Sequence, residues 1–147
     1  MAVDPASNDA RVDPVTFCVS FDIDGTMEFG DPPGPITVDF VRRVAALGHV
    51  VGSASDRTRG NQTAAWEHYG IDVAFVGGKH QLHEVRERIA ADRYLHIGDT
   101  SVDGYDARLA GFEFLFVEEL IRGAIDPAVV LGHRPDASAV EGGGPPS

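Results

Sequence analysis

Four polar clusters in this chain have residue types and spacing that could do chemistry. Asp22, Asp24, Gly25 and Thr26 close the apolar run TFCVSF. Ser53, Ser55 and Arg57 close a second run, VVGS. Lys79 follows a third, VAFV, and Gly98, Asp99, Thr100 and Asp103 follow a fourth, YLHI. If the four runs are parallel strands of one sheet, all these residues meet at its C-terminal edge. Several carboxylates, a hydroxyl and a lysine would then share one crevice. Two unit charges about 4 Å apart repel by ~4 kcal/mol at an effective dielectric of roughly 20, so such carboxylates need a counter-charge. A hard divalent cation supplies it, and Mg²⁺ suits a site of few carboxylates, waters and a phosphate. Asp22 and Asp24 are two residues apart, so an extended backbone points both the same way. Gly25 lets the chain turn sharply after them. The pieces fit metal-assisted phosphoryl transfer onto a carboxylate nucleophile.

The elements that must position these residues are legible in the hydrophobic pattern. Strands are expected over 16–21, 50–53, 73–76, 94–97 and 113–117. Helices are expected over 37–47, 58–69, 81–90 and 102–110, with a short last one over 118–122. Gly48, Gly70 and Gly111 read as helix stops shortly before strands. Strands separated by helical segments imply βαβ units, hence a doubly wound, Rossmann-like α/β fold with about five parallel strands flanked by helices. Residues 16–131 form one domain, between a loose acidic tail over 1–15 and a Pro/Gly/Ser-rich tail over 132–147.

At the level of motifs the chain resembles the haloacid dehalogenase (HAD) superfamily. FDIDGT, at 21–26, is similar to its first motif, DxDGT, and VVGSASDR, at 50–57, to its second. Lys79 stands where the third places a lysine, and LHIGDTSVD, at 95–103, resembles the fourth. The resemblance implies a strand order of 5-4-1-2-3 and a role for each residue. Asp22 would attack phosphorus. Asp24 would protonate the leaving group and then activate water. Asp22, Asp24 (through its backbone carbonyl) and Asp99 would hold Mg²⁺, with Asp103 in support. Thr26, Ser55 and Lys79 would bind the phosphate, Ser55 being preferred over Ser53. The second acid, Asp24, marks phosphatases rather than dehalogenases. Neither 26–37 nor 55–79 has room for a cap domain, so the crevice should be open, for a macromolecular substrate or a homo-oligomer that supplies its own lid.

Two other classes share these ingredients. A phospho-receiver-like domain also joins carboxylates, a hydroxyl and a lysine, but its phospho-accepting Asp follows the third strand. A non-catalytic phosphate-binding regulatory protein would keep the pocket without turnover. Structural roles compete at single positions. Ser55 could cap the helix near Thr58, and Thr100 with Asp103 fits a capping box. Phe29 could close over a substrate or pack in its loop. His80, His83, Glu84 and Glu87 read as an exposed polar face.

Composition narrows the partners. Fifteen Asp and eight Glu outweigh eleven Arg and one Lys, for a formal net charge of -11. That balance disfavours broad nucleic-acid binding and docking on anionic lipid. Salt adaptation and GC-rich coding both produce it. The one cysteine, Cys18, forms no internal disulfide and reads as a buried thiol. No apolar stretch reaches membrane-spanning length, and a cytoplasmic location is expected.

Overall fold

A computed structural model describes residues 15–120 together with 127, 128, 130 and 131. The expected tails lie outside the described residues, Val15 excepted. The elements are β1 (Phe17–Phe21), α1 (Val38–Ala46), β2 (Val50–Ala54), α2 (Arg59–His68), β3 (Phe75–Gly77), α3 (Leu82–Arg88), β4 (Arg93–Gly98), α4 (Ser101–Leu109) and β5 (Glu113–Phe116). All four strand pairings are parallel, in the order β3-β2-β1-β4-β5. This is a five-stranded α/β sheet of the doubly wound kind.

Alternation along β1 explains the two layers. Phe17, Val19 and Phe21 face a core built with Val41 and Val44 of α1 and Trp66 of α2. Cys18 faces the opposite core, with Leu82 and Val85 of α3 and Ala107 of α4. A strand buried on both faces reads as a continuous apolar run, which is how TFCVSF appears in the sequence. Leu131 is also buried, in the first core. Burial pushes the Cys18 thiol up to about 12, so it is inert.

Side-chain caps set the helix starts. Thr37 and Thr58 accept hydrogen bonds from the backbone N–H of Phe40 and Asn61. The cap of α2 is therefore Thr58, not Ser55. Gly48, Gly70 and Gly111 all adopt positive φ, as their role as stops requires.

Three elements differ from expectation. β3 starts at Phe75 rather than 73, although Ala74 already donates to the Val51 carbonyl. The third helix opens as a 3-10 turn, Lys79–Gln81, because the Gln81 side chain folds back onto the Gly78 N–H at 2.8 Å. The last short helix is a 3-10 turn over Val117–Leu120. No helix among the described residues is long and apolar enough to cross a membrane.

The chain winds from β1 outward through β2 to β3, then crosses to β4 and β5. The crevice at this reversal lies beyond the C-terminal ends of β1 and β4, where open α/β sheets bind ligands. Phe21 pairs with Ser53 on one side and Ile97 on the other. The four polar clusters are thereby brought to one edge.

Candidate functional site

Asp22 extends the ladder past β1, its N–H donating to the Ile97 carbonyl at 2.9 Å. Its side chain is buried. Asp22, Asp99 and Asp103 each place a carboxylate oxygen within 4.8 Å of the others. Gly25 makes this possible. Its φ is +78°, and a Cβ there would lie 1.9 Å from Asp99 Oδ2. Any side chain at 25 would displace the second carboxylate. Burial pushes Asp22 up to about 8, helped by the Asp103 charge and a hydrogen bond with Asp99, and opposed by Lys79. A divalent cation would relieve this crowding, and the all-oxygen donors match a hard ion.

Lys79 reaches into the cluster from the 3-10 turn. Its ammonium lies 3.2 Å from Asp103 Oδ1 and 3.8 Å from Asp22 Oδ1, with the side chain only 10 % exposed. The exposed Asp56 carboxylate stands 3.9 Å away. Burial alone would lower the Lys79 pKa, but Asp22, Asp103 and Asp56 together raise it.

Asp103 is held from four directions. His96 Nε2 lies 3.0 Å from Oδ1, which also faces Lys79. Thr100 donates to Oδ2 from its N–H at 3.2 Å and its hydroxyl at 2.8 Å. A carboxylate offers about four acceptor positions, so Asp103 is saturated by protein donors. It completes the capping box of α4 and anchors Lys79. Burial raises the Asp103 pKa, but His96, Thr100 and Lys79 outweigh that and bring it down to about 2. Gly98 makes the room, since a Cβ there would lie 2.4 Å from the Asp103 Cγ.

The other expected residues separate. Asp24 is turned away from the carboxylate cluster. Arg57 grips it, with guanidinium contacts of 2.7 Å and 3.2 Å to Oδ1, and the Asp31 N–H donates to the same oxygen at 2.8 Å. The Arg57 hydrogen bond is the main reason its pKa lies below the usual carboxylate value. Ser53 is consumed by structure: it donates to Gln62 Oε1 at 2.6 Å and accepts from the Trp66 indole at 2.9 Å. Ser55 only accepts, from the Arg57 N–H at 3.1 Å, and lines a cavity of about 280 Å³ with Arg57, Arg59 and His80. Thr26 is fully buried beneath the 27–36 loop, and its hydroxyl has no hydrogen-bond partner. Phe29 stacks on Tyr69 and meets Trp66 edge-on, so it packs into the core instead of covering the crevice. A larger cavity, about 550 Å³, lies at the β3 edge between α2 and α3 and holds none of the acidic residues.

The Arg57–Asp24 pair and His96 were not legible as site components. Arg57 belongs to the second polar cluster, but no local pattern pairs its side chain with Asp24. His96 had one signal, a polar residue inside the apolar run YLHI.

No family model, curated protein or solved structure matches this chain. The site defines a class by its own geometry: an α/β domain with a buried carboxylate cluster and one lysine at the switch point. A hard cation bound by this cluster would compete with protons for Asp22. Its affinity should therefore rise with pH, by up to about tenfold per unit below about pH 8. Mg²⁺ titration by calorimetry from pH 6 to 9 checks this; a flat profile would contradict the raised Asp22 pKa.

Proposed function

We propose that this protein is a Mg²⁺-dependent phosphatase of the capless HAD type, hydrolysing a phosphate monoester through an aspartyl-phosphate on Asp22. The observation that carries the reading is the buried Asp22, with Lys79 at 3.8 Å and two further carboxylates within 4.8 Å, at the end of the central strand. The strand order supports it, since a phospho-receiver would have the order 2-1-3-4-5.

Asp22 and Asp99, with the Asp24 backbone carbonyl, would hold the cation. Bound there, Mg²⁺ supplies positive charge that offsets repulsion between Asp22 and a phosphate dianion. Lys79 and Ser55 orient the phosphate. An Asp22 carboxylate oxygen attacks phosphorus, the ester P–O bond breaks, and the leaving oxygen takes a proton from Asp24. Water then attacks the same phosphorus and passes a proton to Asp24. The acyl-phosphate P–O bond breaks, releasing phosphate and restoring Asp22.

Asp24 needs both protonation states in this cycle, and its grip by Arg57 favours the charged one. Arg57→Gln should therefore raise the Asp24 pKa and move the limb of the pH–rate profile that reports it to higher pH. An unmoved profile would remove Asp24 from proton transfer.

Hydrolysis of p-nitrophenyl phosphate tests the whole reading. We expect many turnovers per protein with Mg²⁺ and none with EDTA. Stoichiometric phosphorylation without turnover would indicate a receiver. Mg²⁺ and phosphate binding with no reaction would indicate a binding protein.

A further inference from the structure

Among the buried polar residues that the proposed reaction leaves unused, two are paired with each other next to the site. Ser20 on β1 and His96 on β4 are paired across the sheet and are both fully buried. They point to the face that carries α3 and α4, beside Cys18 and Tyr94. His96 Nδ1 lies 2.9 Å from Ser20 Oγ, and Nε2 lies 3.0 Å from Asp103 Oδ1. Phe114 stacks on the ring, with centroids 6.2 Å apart. An apolar pair would fill the same space without burying polar groups, so packing alone does not account for the choice.

Chemistry assigns the hydrogens. A carboxylate only accepts, so the Nε2 proton belongs to the bond with Asp103. In the uncharged ring Nδ1 then accepts, and the Ser20 hydroxyl donates to it. The result is one directed chain from Ser20 through His96 and Asp103 to Lys79, and from Lys79 to Asp22. Asp103 Oδ1 is the shared acceptor for His96 and Lys79. If the His96 donor is lost, that oxygen is freed to rotate away, and the ammonium loses its nearest fixed partner.

We propose that His96 is a positioning residue for Lys79, acting through Asp103 and itself oriented by Ser20. The link to phosphate rests on the phosphatase reading above; the placement of Lys79 can be tested apart from it.

Lys79 is the only lysine in the chain, so ¹⁵N-lysine labelling yields a single side-chain ammonium signal. Buried and hydrogen-bonded, that ammonium should exchange slowly enough with water to be observed. The informative variants are His96→Gln and His96→Asn. The Gln amide nitrogen reaches the Nε2 position and can still donate to Asp103; the Asn amide stays near the Nδ1 position and cannot. We expect His96→Gln to keep the Lys79 signal, and His96→Asn to lose it or shift it towards that of a free lysine. Binding of inorganic phosphate with Mg²⁺, read by calorimetry, should weaken ~10-fold in His96→Asn. It should stay near wild type in His96→Gln. In a Lys79→Met background the His96→Asn effect should vanish, whereas a general packing defect would persist.

A folded His96→Asn protein with an unchanged Lys79 signal overturns the proposal. So does equal disruption by Gln and Asn. If His96→Asn does not fold, Ser20→Ala serves instead: a broadened Lys79 signal supports the chain, and an unchanged one overturns it. If wild type binds no phosphate while the Lys79 signal responds as expected, the phosphatase reading fails and the positioning role stands.

Discussion

Asp22→Asn should lower turnover of an aryl phosphate at least ~10⁴-fold with Mg²⁺ present, because the amide cannot form the acyl-phosphate. The same change should make the cation-free protein more stable. Asp22 is raised to about 8 in the folded state, against 3.8 as a model carboxyl. The folded state thus holds a proton that the unfolded chain releases above about pH 4, and stability falls as pH rises from there to about 8. Asparagine mimics the protonated acid and escapes this loss. In EDTA at pH 8 the variant should melt several degrees higher than wild type, consistent with a gain on the order of a few kcal/mol. Activity lost with stability gained is the signature of a group kept at a functional cost to the fold. Turnover that survives in Asp22→Asn, or a melting point that drops, would remove Asp22 as nucleophile or as a crowded acid.

Lys79→Arg should reduce kcat/KM by ~10²-fold or more, although the charge is kept. The ammonium is a compact donor in a pocket where the side chain is 10 % exposed, between Asp22 and Asp103. A planar guanidinium needs more room and cannot take the same two contacts. Lys79→Met goes further. It leaves two buried carboxylates without their cation, and breaking a buried pair on one side costs roughly 3–5 kcal/mol. We expect Lys79→Met to be the less stable of the two, with a correspondingly larger loss of activity. Wild-type rates in Lys79→Arg would remove this lysine from phosphate binding. Melting curves taken beside the kinetics separate misfolding from lost chemistry.

Much of the fold is legible in order along the chain. β1, β2 and β4 show as apolar runs, and three helix stops show as glycines that adopt positive φ. β3 is the exception, because IDVAFVGG, at 71–78, is apolar over a longer stretch than pairs with β2. Pairing begins in earnest only where Gly52 faces Phe75. The third helix differs from its period because a single side-chain contact, Gln81 to Gly78, tightens its first turn.

Within the site, local chemistry and long-range contact part company. Gly25 is readable as a turn residue, and Gly98 as a member of the fourth cluster. Their reason is tertiary: each leaves room for a carboxylate, Asp99 and Asp103 respectively. Ser53 and Ser55 are both buried, but Ser53 lies within β2 and is taken up by Gln62 and Trp66, whereas Ser55 lies just past the strand end, accepts from the Arg57 N–H and lines the neighbouring cavity. Asp24 and Asp22 lie two apart, yet the turn at Gly25 sends Asp24 to Arg57 and leaves Asp22 with Lys79.

The sequence by itself determined the α/β period, the place of each polar cluster at the end of a strand, and hence that carboxylates and one lysine would share an edge. Those follow from local propensity and from the geometry that every parallel sheet obeys. Only the tertiary structure decided which carboxylate is buried, which is saturated, and which is paired with an arginine. Burial and pairing depend on residues 30 to 80 positions apart, whose contact no local pattern encodes: Arg57 with Asp24, His96 with Ser20, Lys79 with Asp22.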